Sequence, residues 1–196
     1  LGRLNARGLT MTDFKRRVIN IVEDAYPRTI ASLNITQIGL FEVPVSGALS
    51  RAQRVTAWGL SRLSEVVVDH AAPYTSLREV TVVSRTGVRN TYDLFMAIDQ
   101  GELDQDPYVK PGDSVKLQRR EYVVEVRGEV NEPGSFELLE GEGLTDLEQF
   151  FQGYRPDADL RRLIVERRRG DTFEQISLGS YQLASEFSFR DGDLLM

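Results

Sequence analysis

The stretch Val124-Glu125-Val126-Arg127-Gly128-Glu129-Val130-Asn131-Glu132-Pro133-Gly134-Ser135-Phe136 decides how the chain is read. Tyr122, Val124, Val126 and Val130 share one face of an alternating pattern and Glu125, Arg127 and Glu129 the other, the mark of a half-buried strand interrupted at Gly128. Glu132-Pro133-Gly134 carries turn chemistry, since proline presets φ and glycine accepts positive φ, so residues 136 to 139 are expected to return as the hairpin partner. A degenerate copy, Phe41-Glu42-Val43-Pro44-Val45-Ser46-Gly47-Ala48-Leu49, lies upstream.

Working outward, further landmarks recur in the same order. Gly47 and Gly128 are 81 residues apart, Leu60 and Leu63 precede Leu144 and Leu147 by 84, and Leu77-Arg78 and Arg85 precede Leu160-Arg161 and Arg168 by 83. Gly112-Asp113 precedes Gly192-Asp193 by 80. Offsets that drift by a few residues fit loop insertions between elements of constant length, the usual way a tandem repeat diverges.

The 196 residues, 41% hydrophobic and 28% charged, have the composition of a globular protein with room for two small domains and a leader. No apolar run approaches a membrane span. The lack of cysteine rules out disulfides and thiolate metal sites, and a net charge of −6 argues against non-specific nucleic-acid binding. The start at Leu1 and a strand pattern running up to Met196 read as a fragment of a longer protein.

Residues 12 to 25 place Phe14, Val18, Ile21, Val22 and Ala25 at helical spacing, ending near Pro27. From Ser32 to Leu49 a strand pair or one long bent strand is expected, followed by a loop over 51 to 56 and a short helix over 59 to 68 with Leu60, Leu63 and Val67 inward. Strands follow at 79 to 85 and 89 to about 94, joined at Thr86-Gly87, then an acidic turn over 99 to 106 and a strand over 114 to 117. In the second copy, Thr145 and Glu148 form an expected capping box, Gly153 ends that helix, and residues 160 to 168 and 172 to 178 pair across Arg169-Gly170-Asp171. Each copy reads strand, turn, strand, helix, strand, strand, strand, an α+β order that suits a sheet gripping one helix, a β-grasp.

The V-x-V-x-G-x-V-x-x-P-G hairpin, the Leu-rich helix, the hairpin ending in arginine and the Gly-Asp before the last strand together resemble SLBB (soluble-ligand-binding β-grasp) domains. Tandem copies after a helix are similar to outer-membrane polysaccharide export proteins of the Wza type, and Gly8-Leu9-Thr10 matches the end of their export domain. The first copy has Ser50-Arg51-Ala52 where the pattern has Pro-Gly. The resemblance implies a helical remnant of an upstream export domain over 1–31, a first SLBB-like domain over 32–118 and a second over 119–196. It implies a non-enzymatic, periplasmic, outer-membrane-associated piece of a polysaccharide export conduit, homo-oligomeric and facing an inner-membrane polysaccharide co-polymerase. It implies neither a catalytic residue nor a cofactor. A monomeric periplasmic glycan-binding module is the alternative.

Candidate contact residues follow from side-chain chemistry. Arg161, Arg162, Arg167 and Arg168, with Arg169, form the densest basic cluster, and guanidinium forks hold the carboxylates of an acidic glycan or a neighbouring subunit; a plain charged hairpin is the other reading. Trp58 and Tyr154, beside loops, offer ring faces to pyranoses, while Phe151 reads as core. His70 is the sole histidine, which excludes histidine triads and multi-histidine metal sites. Asp99, Glu102, Asp104 and Asp106 lack the mid-loop glycine of a calcium-binding EF-hand and read as a solvated turn.

Overall fold

The structure is a computed structural model that describes residues 4–6, 8–34, 36–179 and 185–196. It divides into two compact units, Leu1–Gly39 and Leu40–Met196.

In the first unit, helix α1 (Met11–Ala25) starts where Thr10 Oγ1 accepts a hydrogen bond from the Asp13 N–H at 3.1 Å. The Tyr26 N–H donates to the Val22 carbonyl at 2.9 Å, closing the last turn before Pro27. Phe14, Val18 and Val22 are half-buried, and no residue of α1 is buried. The strand expected from Ser32 begins only at Leu40; none of the described residues of 26–39 is in a helix or strand. β-branched residues favour a strand only where a ladder takes up their backbone groups, and the described residues here have none.

The second unit carries two five-stranded sheets, a mixed α+β arrangement. Strands β1 (Leu40–Gly47) and β2 (Gln53–Trp58), helix α2 (Leu63–Val67), strands β3 (Thr75–Val83) and β4 (Arg89–Tyr92), helix α3 (Leu94–Asp99) and strand β5 (Ser114–Arg119) build the first. Its spatial order is β2-β1-β5-β3-β4. Strands β6 (Tyr122–Val126) and β7 (Gly134–Leu138), helix α4 (Leu144–Phe150), and strands β8 (Leu163–Arg169), β9 (Thr172–Gly179) and β10 (Leu194–Leu195) build the second, in the order β7-β6-β10-β8-β9. The two orders correspond strand for strand, and the pairs β1 with β5 and β6 with β10 run parallel while the other neighbours are antiparallel.

Register fixes the correspondence residue by residue. Val45 lies opposite Val115 and Val126 opposite Leu195; Val115 in turn faces Val82 and Leu195 faces Val165. All six of these side chains are buried. Gly47 and Gly128 follow at matching places with φ of 102° and 95°. The strand-opening turns also match: Asp113 Oδ2 accepts from the Lys110 N–H at 2.9 Å and Asp193 Oδ2 from the Arg190 N–H at 2.8 Å.

Several expectations change. Residues 53–58 form a strand rather than a loop, because all six pair with β1 and Val55 and Ala57 alternate inward. Leu63, Val66 and Val67 are the inward residues of α2, while Leu60 lies in the preceding turn and is 56% exposed, so Leu63 answers to Leu144 rather than to Leu147. The strand at 89 stops at Tyr92, because Asp93 Oδ1 accepts from the Met96 N–H and opens α3, which buries Leu94 and Ala97. At α4 the N-cap is Gly143 and its N–H donates to Asp146 Oδ2 at 2.9 Å; Thr145 and Glu148 form no such box. Tyr122, expected inward, is exposed at the start of β6. Each sheet covers one core: Val43, Val45, Leu63, Val80 and Leu117 under the first, Val124, Val126, Leu147, Phe151 and Val165 under the second. Truncating any such residue to alanine costs about 2–5 kcal/mol.

Candidate functional site

The densest polar geometry lies where the two sheets meet. On β3, Arg78 is buried just before Val80 and Val82, at the irregularity where the register against β5 shifts between Thr75 and Val80. Its Nε donates to Asp93 Oδ2 at 2.9 Å, its Nη2 to Glu142 Oε1 at 2.7 Å, and its Nη1 to both Glu142 Oε2 at 2.5 Å and the Glu137 carbonyl at 3.0 Å. The guanidinium also lies 4.6 Å from the centroid of the Phe150 ring. Asp93 is the N-cap of α3, whereas Glu137, Glu142 and Phe150 come from β7, its following loop and α4. One side chain of the first sheet thus grips three elements associated with the second.

Apolar contact surrounds that grip. Phe95 of α3 packs edge-on to Phe150 with ring centroids 5.0 Å apart, and Phe95 and Met96 pack against the second core. Burial alone lowers the Arg78 pKa, but the hydrogen bonds it donates to Glu142 and Asp93, with their negative charges, outweigh it and hold the group above its ordinary value. Burial pushes the neighbouring Glu137 carboxyl above its ordinary value; a hydrogen bond to Ser76 and the charges of Arg120 and Arg78 oppose the shift, and Glu79 adds to it.

Two of the clefts among the described residues lie in the second half and bear on the expected contacts. The larger, about 370 Å³, has Tyr122, Phe187 and Phe189 with Glu140 and Glu186 in its lining. The other, about 300 Å³, runs between the ends of β6 and β8, lined by Arg127, Glu129, Val130, Tyr154, Leu163 and Met196 among others.

The expected contact residues separate into distinct places. Tyr154 and Arg162 share the cleft of about 300 Å³, and the Tyr154 ring stands edge-on to Phe151 at 5.0 Å. Arg161 is exposed and bound to Asp159, Nε to Oδ1 at 2.9 Å; that bond holds the Asp159 carboxyl below its ordinary value. Arg167 is committed internally: its Nε and Nη2 donate to Asp193 at 2.9 and 2.6 Å and Nη2 also to the Ser188 carbonyl at 3.0 Å. Arg168 is exposed on the opposite face of β8, with Nε on the Gly170 carbonyl. Trp58 ends β2, half-exposed, with its N–H on Ser61 Oγ at 3.3 Å, and lines neither cleft. Sequence reasoning missed Arg78 as a site residue, because its partners Glu137 and Glu142 lie 59 and 64 residues away along the chain.

Among the described residues, no group of three or more His, Cys, Asp or Glu side chains is placed to hold a metal ion, and no helix is long and apolar enough to cross a membrane. No protein-family model matches the chain, and no curated protein matches it.

Proposed function

We propose that residues 40–196 are two β-grasp modules of the SLBB kind, stacked as a non-enzymatic structural unit in the periplasmic wall of a polysaccharide export conduit. The observation that carries the stacking part is the Arg78 grip, which joins β3 and α3 of the first sheet to β7 and α4 of the second through charge-assisted hydrogen bonds and aromatic packing. The matching strand orders support a repeated module. Polysaccharide, the outer-membrane setting, the inner-membrane co-polymerase and homo-oligomerisation come from the resemblance of the Gly128–Phe136 hairpin and the Gly192-Asp193 turn. Mass in solution by light scattering tests the reading: a closed oligomer is the expected result, and a monomer that binds oligosaccharide sinks it.

A periplasmic glycan-binding module is the second reading. The cleft of about 370 Å³ favours it, because Phe187 and Phe189, edge-on at 5.2 Å, stand beside Tyr122 and the glutamates Glu140, Glu142 and Glu186, a mixture of ring faces and acceptors that suits a sugar. Titration with neutral and acidic oligosaccharides, followed by tyrosine and phenylalanine NMR signals, separates the two readings.

A further inference from the structure

The cleft of about 370 Å³ has two walls, residues 138–143 on one side and 185–189 on the other, with Tyr122 beside them. Between the end of β7 at Leu138 and the start of α4 at Leu144, the first wall has no ladder; it is shaped by one turn. In that turn the Glu142 N–H donates to the Leu139 carbonyl at 3.1 Å, and Glu142 Oε2 accepts from the Leu139 N–H at 2.7 Å. The same Oε2 accepts from Arg78 Nη1 at 2.5 Å, and Nη1 also reaches the Glu137 carbonyl, just ahead of the wall, at 3.0 Å. One nitrogen of the first sheet therefore holds both ends of the turn. The opposite wall is held from within its own sheet, where Arg167 of β8 donates to the Ser188 carbonyl at 3.0 Å and stands 5.1 Å from the Phe187 ring centroid. Neither guanidinium lines the cleft.

We infer that Arg78 is a positioning residue for this cleft: by fixing Glu142 and the Glu137 carbonyl from the first sheet, it holds the 138–143 wall in the form that receives a sugar. A wall already ordered in the free protein does not have to be ordered when the ligand arrives, so less of the binding energy is lost. The planar fork of an arginine suits the task, since it reaches Glu142 through two nitrogens and still has Nε for Asp93. The binding site of the second half is then complete only with the first half packed against it. This inference rests on the glycan-binding reading of the cleft and names what regulates it. A change at the joint that moves Arg78 loosens the wall, and a sugar that fills the cleft tightens the joint by the same factor.

The test titrates cellotetraose, a tetramer of N-acetylglucosamine and a tetramer of galacturonate into the 196-residue chain and three variants, following the Phe187 and Phe189 ring signals by NMR. Arg78→Lys keeps the charge and loses the fork. Asp93→Asn keeps a good N-cap for α3, lies outside the cleft lining and weakens the seat of Arg78, so it stands in if Arg78→Lys fails to fold. Val43→Ala, in the core under the first sheet, lowers stability without removing a contact of Arg78. A tetramer that binds the parent is expected to bind Arg78→Lys about tenfold and Asp93→Asn about threefold more weakly, with Val43→Ala unchanged. Without sugar, hydrogen exchange at the Leu139 N–H is expected to be about tenfold faster in Arg78→Lys and at the parent rate in Val43→Ala. Unchanged affinity in Arg78→Lys, or an equal loss in Val43→Ala, overturns the positioning role. If no tetramer binds the parent, the sugar reading of the cleft fails by itself, and the Leu139 exchange alone decides for or against Arg78 as the residue that sets the wall.

Discussion

Arg78 and Glu142, 64 residues apart, meet through two hydrogen bonds of 2.5 and 2.7 Å, and the same arginine binds the N-cap Asp93 of its own half. Glu142 is also the residue that shapes its loop, accepting from the Leu139 N–H at 2.7 Å. A single guanidinium therefore ties a helix start in one half to a loop in the other, and any motion between the halves must break an ion pair whose arginine side chain is only 5% exposed.

Replacing Arg78 by alanine leaves Asp93 and Glu142 facing each other in a mostly dry joint, and the expected loss is about 3–5 kcal/mol in urea unfolding. In a double-mutant cycle with Glu142→Gln, the losses should fall well short of adding, because either change breaks the same pair. A loss for Arg78→Ala of under about 1 kcal/mol, the range of surface pairs, would show that the joint is solvated.

The two strand-opening aspartates give an internal control. Asp113 and Asp193 cap matching turns, but only Asp193 also receives a buried arginine, Arg167, through two hydrogen bonds. Asp193→Ala should thus cost about 3–5 kcal/mol by stranding Arg167 as well as the turn, whereas Asp113→Ala removes a turn cap worth about 1 kcal/mol. Thermal unfolding of both variants, compared with the parent chain, checks the ordering.

Much of the fold was legible because local chemistry agreed with the final arrangement. The alternation of Val124 and Val126, the Gly170-Asp171 hairpin and the Gly-Asp turns lie where their residue types direct them, whereas Gly134, expected in a turn at positive φ, opens β7 opposite Val126 without one. What was not legible depended on partners distant in sequence. Residues 53–58 lack a strong strand pattern and become a strand because β1 offers six pairing positions, while the described residues of 32–39 have no ladder. Helix α3 was hidden because Asp93 acts both as its cap and as a partner of Arg78. The arginine cluster failed to mark one site for a related reason: β8 sends Arg167 inward to Asp193 and Arg168 outward, so neighbours in sequence part by pleat.

Gly47 and Gly128 have nearly the same backbone but different surroundings, and alanine at each separates strain from contact. Gly128→Ala meets no atom within 4 Å and should cost only the left-handed strain, about 1–2 kcal/mol. Gly47→Ala adds a Cβ at 2.1 Å from the Leu117 carbonyl oxygen, which β1 and β5 together hold in place. It should destabilise by clearly more than its partner, with the excess read as the difference in urea midpoints at constant slope. Equal losses would mean that β5 moves freely away from β1.

Glu137 sets a pH dependence at the joint with a definite sign. Burial raises its pKa above the ordinary 4.5, with Glu79 adding to the rise and Ser76, Arg120 and Arg78 opposing it. Between 4.5 and the raised folded value, the native protein holds more protons on this group than the unfolded chain does, so stability increases as pH falls through that window and is lost as pH rises through it. Asp99, raised by burial and by Glu132, acts in the same direction. Asp159 is lowered, chiefly by its hydrogen bond with Arg161, and acts in the opposite direction, but only below its ordinary 3.8 and at the surface. Glu137→Gln keeps the shape and a hydrogen-bonding partner for Ser76 while removing the buried charge. It should therefore raise the melting temperature at pH 7 relative to the parent chain, and the gain should shrink steadily toward pH 4, where the parent carboxyl is protonated in the folded state. A variant less stable than the parent at pH 7 would show that the attraction to Arg120 and Arg78 outweighs the desolvation of the carboxylate.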